Sequence, residues 1–264
     1  MAPLICHLFY AIKVATNRKI RYIIIGKKYL YDEKRREAFE MYKACILDID
    51  GTLLDSVESI AYVANQVLTT YGLEPQPVES YNYFAGDGAD ELMKRALTAA
   101  GDPEMVHYEE GRALYREIFA KDPLYHVKAF DGMKEILAKL KEKGVRLAVL
   151  SNKPHPAAVK AIEGIYGKDC FDVILGQREG MERKPSPEGA WIIAEDFDVK
   201  PEECMYVGDT NTDMQTGKSA GMYTIGVTWG FRDREELEAN HADTIIDHPA
   251  ELFTIWENSR DIPG

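Results

Sequence analysis

Cys45-Ile46-Leu47-Asp48-Ile49-Asp50-Gly51-Thr52-Leu53-Leu54-Asp55-Ser56 is the stretch from which the rest of the chain is read. Ala44–Leu47 has the length and apolar character of a buried strand, and two carboxylates, Asp48 and Asp50, follow at once. In a regular strand the i and i+2 side chains share one face, so both acids are expected to enter one pocket at the strand's C-terminal end. Gly51 then lets the backbone turn sharply and come close to a ligand. Two carboxylates held together repel, and such a pair calls for a cation or a shared proton. Asp and Gly are also ordinary turn residues, so the stretch by itself reads equally well as a strand that ends in a solvated acidic turn.

The sequence on either side supplies the context. Residues 56–71 have helix length and close on Gly72 and Pro75, and residues 73–82 form a proline-containing connection. Asp87-Gly88-Ala89-Asp90 opens a second helix with Leu92, Met93, Ala96 and Leu97 on one face, and a third is expected over 104–121. Strand–helix alternation resumes after Asp131: a helix at 133–143, a strand at 145–150, a helix at 155–166, a strand at 171–175 and a helix at 188–196. The strand 204–207, a short helix to Ala220, the strand 223–227, an edge strand at 242–246 and a helix at 249–256 complete it. Alternation of this kind predicts an α/β fold, a doubly wound parallel sheet of Rossmann-like type covered by helices on both faces. The helical block 57–127 lies between one strand and the next helix–strand unit, so it reads as an insertion: an all-helical cap on a core made of 41–56 and 128–258.

Four polar clusters punctuate this pattern: Asp48/Asp50, Ser151-Asn152, Lys184-Pro185 and Gly208-Asp209 with Asp213. Three of them follow strands, and the strands of a parallel sheet all end at one edge, where these groups can meet. Hard carboxylate oxygens suit Mg²⁺, and Mg²⁺ beside a lysine suits a phosphoryl group. As a set, the clusters resemble the four motifs of the haloacid dehalogenase superfamily of phosphohydrolases, over about residues 43–256. The helical insertion resembles that superfamily's cap. Asp50 is the acid that its phosphatases and phosphomutases carry and its dehalogenases lack. Tyr83–Leu97, Ser151-Asn152-Lys153-Pro154 and Gly226-Val227-Thr228-Trp229-Gly230-Phe231 are similar to the phosphoglycolate phosphatase group. One departure is Glu58-Ser59, where such relatives often have Pro-Asp.

The resemblance implies a Mg²⁺-dependent phosphomonoester hydrolase that works through an aspartyl-phosphate. Asp48 is then the nucleophile and Asp50 the acid and base, while Ser151 and Lys184 hold the phosphoryl group. Asp48, Asp50 through its backbone carbonyl, and Asp209 are the implied Mg²⁺ ligands, with Asp213 on the metal or its waters. Thr52, Asn152, Gly86, Gly88 and Arg95 are candidate substrate contacts, the last three from the cap. Phosphoglycolate heads the substrates; a pyrophosphatase, a nucleotide or sugar phosphatase, a phosphomutase and a non-catalytic binding protein are the alternatives.

Composition narrows the partners. At 264 residues, 45% apolar, 29% charged and a net charge of −12, the chain has the make-up of a soluble globular protein without the basic surface that nucleic-acid binding needs. A small phosphorylated metabolite is the expected partner, with no nucleic acid or membrane, for a cytoplasmic monomer or homodimer. Cys6, Cys45, Cys170 and Cys204 are scattered without zinc-binding spacing. His107, His126, His155, His241 and His248 also lack ligand spacing and read as structural or surface residues, and Trp191 and Trp256 as core. Residues 1–40 hold nine Lys/Arg against four Asp/Glu, a net of +5 that leaves −17 on the remainder. With Met41 just before the first core strand, they read as an extension outside the catalytic unit.

Overall fold

The computed structural model describes residues 12–16, 19–23 and 42–259, residue 123 excepted. Two units separate in it, Met41–Glu257 and a second formed by Met1–Glu40 with Asn258–Gly264. In the second, strands β1 (Ile12–Thr16) and β2 (Lys19–Ile23) pair antiparallel. The rest of the extension expected over 1–40, and the start at Met41, lie outside the described residues.

In the larger unit, β3 (Ala44–Leu47) is followed by a two-residue strand β4 (Leu54–Asp55) and helices α1 (Val57–Thr70), α2 (Tyr81–Phe84), α3 (Ala89–Ala99) and α4 (Tyr108–Lys121). The chain returns through β5 (Lys128–Ala129), α5 (Met133–Glu142), β6 (Arg146–Pro154), α6 (His155–Tyr166), β7 (Val173–Gln177) and α7 (Glu188–Asp196). It closes with β8 (Cys204–Gly208), α8 (Asn211–Ala220), β9 (Tyr223–Val227), α9 (Arg234–Ala239), β10 (Thr244–Ile246) and α10 (Ala250–Asn258). Six strands form one parallel sheet in the order β10-β9-β8-β3-β6-β7. The chain therefore builds outward from β3 to one side through β6 and β7, then crosses to the other side for β8, β9 and β10. A crevice opens at such a switch point, outside the C-terminal ends of the strands.

Alternation along β3 shows how the sheet is covered. Cys45 and Leu47 point into a core with Met133 and Leu137 of α5, Ile162 of α6 and Trp256 of α10. Ala44 and Ile46 point the other way, to Ala190 and Ile193 of α7 and Ala220 of α8. Both faces are apolar because both are buried, which accounts for the continuous apolar run of this strand. The register places Leu47 beside Val149 on β6 and Val207 on β8, so the residues that follow on all three strands emerge at one level.

Helices α1 to α4 bury a core of their own. Ile60, Ala64, Val67 and Leu68 on α1 recur at helical spacing and meet Leu92, Met93, Ala96 and Leu97 of α3 and Tyr115 and Phe119 of α4. The third helix begins at Tyr108 rather than Glu104, since Asp102 accepts the backbone N–H groups of Val106 and His107 and holds 102–107 as a turn. Entry to the block and exit from it are tied together: β4 and β5 pair antiparallel, Lys128 meets Asp55 at 3.3 Å, and His126 meets Glu58 at 2.9 Å. Trp191, read as core, is 49% exposed and uses its indole N–H on the Ala220 carbonyl, whereas Trp256 is buried as expected. Among the described residues no helix is long and apolar enough to cross a membrane.

Candidate active site

β3 ends at Leu47, and the next residues form a tight turn rather than a continued strand. The Ile49 carbonyl accepts N–H groups from Thr52, Leu53 and Leu54, and Gly51 N–H returns to the Leu54 carbonyl. Gly51 takes φ +85°, and a Cβ there would stand 2.1 Å from Asp209 Oδ2. No other residue type allows the turn to pass so close to the carboxylate of the neighbouring strand. Behind the turn, Trp229 and Tyr166 donate to the carbonyls of Thr52 and Leu53.

Four charged groups meet at this edge. Asp48, Asp209 and Asp213 each place a carboxylate oxygen within 4.8 Å of the others, and all three are buried. Lys184 Nζ lies 2.9 Å from Asp48 Oδ1 and 2.7 Å from Asp213 Oδ1, with its side chain 3% exposed. Two of the three buried carboxylates thus share one ammonium. The Asp48 carboxyl is raised to about 6: burial is the largest cause, Lys184 works against it and Asp213 adds to it. Asp209 is raised well above the ordinary carboxylate range by burial, then by Asp213 and Asp48. Burial works against the Lys184 ammonium, but Asp213 and Asp48 outweigh it and hold the charge. Asp48 Oδ1 makes no hydrogen bond of regular geometry. Surplus negative charge on hard oxygens, out of water and short of donors, fits a divalent cation that prefers oxygen ligands.

The three acids are not equivalent. Asp209 keeps acceptor capacity: Thr52 Oγ1 donates to one oxygen at 2.8 Å and Phe231 N–H to the other at 2.8 Å. Asp213 is more fully engaged, by Lys184 and the Tyr206 hydroxyl at Oδ1 and by the Thr210 hydroxyl and amide at Oδ2. Thr210 and Asp213 form a capping box at the start of α8, which fixes this acid relative to the strand end.

Asp50 faces the same cavity but stands apart from the three-acid cluster. Its carboxylate takes the Ser56 hydroxyl at 2.7 Å and both of its oxygens take Lys153 Nζ, at 2.9 and 2.7 Å. The two acids share the cavity without continuing a strand, since the turn carries Asp50 to its own partners. Ser151 lines the cavity, and its oxygen accepts the Lys153 amide at 3.3 Å. Asn152 is a brace: its amide donates to the Lys184 and Gly86 carbonyls and its oxygen accepts the Lys184 amide, so it ties the lysine loop to the cap.

The cavity between the sheet edge and the helical block measures about 900 Å³. Gly86 and Gly88 line it. At φ +111° and with Thr210 Cγ2 only 3.3 Å from where a Cβ would sit, Gly86 lets the cap turn rest on the core. Two other candidates are placed differently from expectation. Thr52 is fully buried and spends its hydroxyl on Asp209, so it orients that acid and does not face a substrate. Arg95 does not line the cavity; its guanidinium is taken by Asp87 and by the Tyr83 and Phe84 carbonyls. Asp87 in turn accepts the Thr212 hydroxyl at 2.7 Å; burial raises its carboxyl, and Thr212 and Arg95 more than reverse that and leave it below its ordinary value.

Lys153 and Arg232 were not legible as site residues. Lys153 stands two positions after Ser151 on an extended segment, so the i, i+2 rule places both on one face; the strand was expected to stop at Leu150 and it runs to Pro154. Arg232 is buried, donates to the Asn82 and Ala85 carbonyls of the cap and pairs with Glu236 at 3.1 Å. Its i+4 pairing with Glu236 is an ordinary helix-start contact, and the cap carbonyls it binds lie about 150 residues away, so nothing local marks it.

The chain is similar to known proteins. Residues 45–227 match the family model described as haloacid dehalogenase-like hydrolase. A phosphoglycolate phosphatase of Escherichia coli strain K12 is 30% identical over 227 residues, covering 78% of this chain and 89% of that protein. One of Vibrio parahaemolyticus is 30% identical over 217 residues, covering 81% and 95%. Among solved structures, a predicted phosphoglycolate phosphatase from Haemophilus somnus superposes with a TM-score of 0.77 at 25% identity, covering 83% of this chain and 99% of that one. With the family match spanning the core and its helical insertion, this chain belongs to the haloacid dehalogenase-like hydrolases.

Proposed function

We propose that the protein is a Mg²⁺-dependent phosphomonoesterase of a small phosphorylated metabolite, with phosphoglycolate the first substrate to test. The observation that carries this reading is Asp48 at the sheet edge, flanked by Lys184 at 2.9 Å, within 4.8 Å of Asp209 and Asp213, and sharing a cavity with a separately held Asp50. The names of the similar proteins favour phosphoglycolate.

In this reading Asp48 and Asp209, with the Asp50 backbone carbonyl, would hold Mg²⁺, and Asp213 would act from behind by fixing Lys184. When bound, the cation offsets the repulsion between the acids and an approaching phosphate. Asp48 Oδ attacks phosphorus; the bond from phosphorus to the ester oxygen breaks as Asp50 gives that oxygen its proton. Water then adds to phosphorus and loses a proton to Asp50, the bond between Asp48 and phosphorus breaks, and phosphate leaves with both acids restored. Ser151 and Lys184 hold the phosphoryl oxygens throughout, in a site the cap screens from water. Residues 41–258 carry all of this chemistry, and residues 1–40 none.

The test is phosphate release from a panel of phosphate monoesters, phosphoglycolate among them, with Mg²⁺ and with EDTA. Release that needs Mg²⁺ and is fastest on phosphoglycolate supports the whole reading. Magnesium-dependent release that is faster on another ester removes the substrate alone, and no release from any ester removes the phosphatase.

A further inference from the structure

Lys153 has no part in the reading above, and its setting is unusual for a lysine. Its side chain is 7% exposed, it lines the cavity, and its ammonium grips both oxygens of Asp50 at 2.9 and 2.7 Å. It also lies 4.7 Å from the centroid of the Phe119 ring, on α4 of the cap. Lysine is a flexible point charge that seeks water, so a buried one must be held by its partners. Here they come from both sides of the cleft: a carboxylate from the core and an aromatic face from the cap.

Asp50 must meet one oxygen of the substrate and later a water, in an orientation that a rotation of its carboxylate would spoil. Ser56 grips one oxygen only, at 2.7 Å, which leaves the carboxylate plane free to turn. Lys153 reaches both oxygens and removes that freedom. The phosphoryl seat already has a cation in Lys184, 2.9 Å from Asp48 Oδ1, so Lys153 is not needed there. We propose that Lys153 is a positioning residue for Asp50, fixing its carboxyl against the leaving-group oxygen, and that Phe119 makes this alignment depend on the cap being seated. The inference rests on the phosphomonoesterase reading with Asp50 as the acid.

A residue that works through Asp50 is selective for the leaving group, because Asp50 matters most where the departing oxygen needs help. The experiment compares kcat and KM of the full chain and of Asp50→Asn, Lys153→Met, Lys153→Arg, Phe119→Leu and the Asp50→Asn/Lys153→Met double variant. Substrates are p-nitrophenyl phosphate, ethyl phosphate and phosphoglycolate, all with Mg²⁺. The ratio between substrates is independent of how much of a variant is folded. Asp50→Asn is expected to lose at least about tenfold more kcat/KM, which reports leaving-group departure and not the later hydrolysis common to all substrates, on the two alkyl esters than on the nitrophenyl ester. Lys153→Met is expected to follow in the same direction by about fivefold or more, Phe119→Leu more weakly, and Lys153→Arg to recover part of the loss. The double variant should be within about twofold of Asp50→Asn, since residues acting as one unit are not additive. Equal losses on all three substrates in Lys153→Met, full additivity in the double variant, or a loss confined to the KM of phosphoglycolate would each overturn the inference alone. Absence of leaving-group selectivity in Asp50→Asn itself would overturn the reading of Asp50, and this inference with it.

Discussion

The two walls of the cavity spend their charges in opposite ways. On the core wall, Asp48, Asp50, Lys184 and Asp209 crowd the ends of adjacent strands and turn toward the cavity or its immediate backing. On the cap side, the charged residues near the cavity are consumed in holding the cap together and to the core. Asp90 takes Arg116 at 2.6 Å on its own side and Arg183 of the core at 2.7 Å, and Asp87 takes Arg95 and Thr212. What the cap leaves facing the cavity is largely apolar: Ile60, Leu92, Tyr115 and Phe119. The core therefore supplies fixed charge and the cap supplies shape and exclusion of water. Preorganised charge belongs on rigid elements such as the strand ends.

That division orders the expected effects of mutation. Asp48→Asn preserves shape and removes the proposed nucleophile, so phosphate release should fall by at least about 10³-fold while thermal unfolding is unchanged or improved by the loss of one buried charge. Near-normal turnover by the folded variant would move the chemistry away from the core wall. Asp209→Asn should cost about 10²–10³-fold, and a titration of activity against Mg²⁺ should show a higher half-saturating concentration. An unchanged titration would place the cation elsewhere.

Cap substitutions test the other half of the comparison and should be milder. Asp90→Asn loosens the link to Arg183, whose side chain is 40% exposed, so the pair is worth no more than about 1 kcal/mol. KM should rise by about threefold with kcat unchanged, and a collapse of kcat would mean that this link also orders the core. The smallest effect is expected from Arg95→Ala: a stability loss of about 0.5–1 kcal/mol, read as a lower Tm, and under about twofold in kcat/KM on phosphoglycolate and on ethyl phosphate alike. A KM increase on phosphoglycolate alone would return Arg95 to the site and end the distinction between a charged core and an apolar cap.

The same contrast separates what was legible from what was not. β3 and β8 were readable because an apolar run followed by Asp or Gly is a local pattern, and the helices α1, α3, α6 and α7 because their apolar spacing is local too. Helix α9 and the β4–β5 pair escaped: the first has six residues with one buried, and the second is two residues paired with two others across the whole insertion. Thr52 and Arg95 were placed by proximity to a motif and by helix position, and neither says which partner a side chain will choose. Lys153 was in plain view beside Ser151, but its partner Asp50 is 103 residues away.

Chain order and residue type alone determined the doubly wound sheet, the helical insertion and the meeting of Asp48, Ser151, Lys184 and Asp209 at one edge. The physical reason is that strand and helix periodicity are set within a few residues, and a parallel sheet then carries every strand end to the same side. Only the tertiary structure decided that Thr52 serves Asp209, that Arg95 is bound by Asp87, and that Lys153 holds Asp50. A charged side chain goes to whichever opposite charge or acceptor the folded chain brings within about 3 Å, and a buried one must find such a partner or lose its charge; segments far apart in sequence supply that partner only after they have packed.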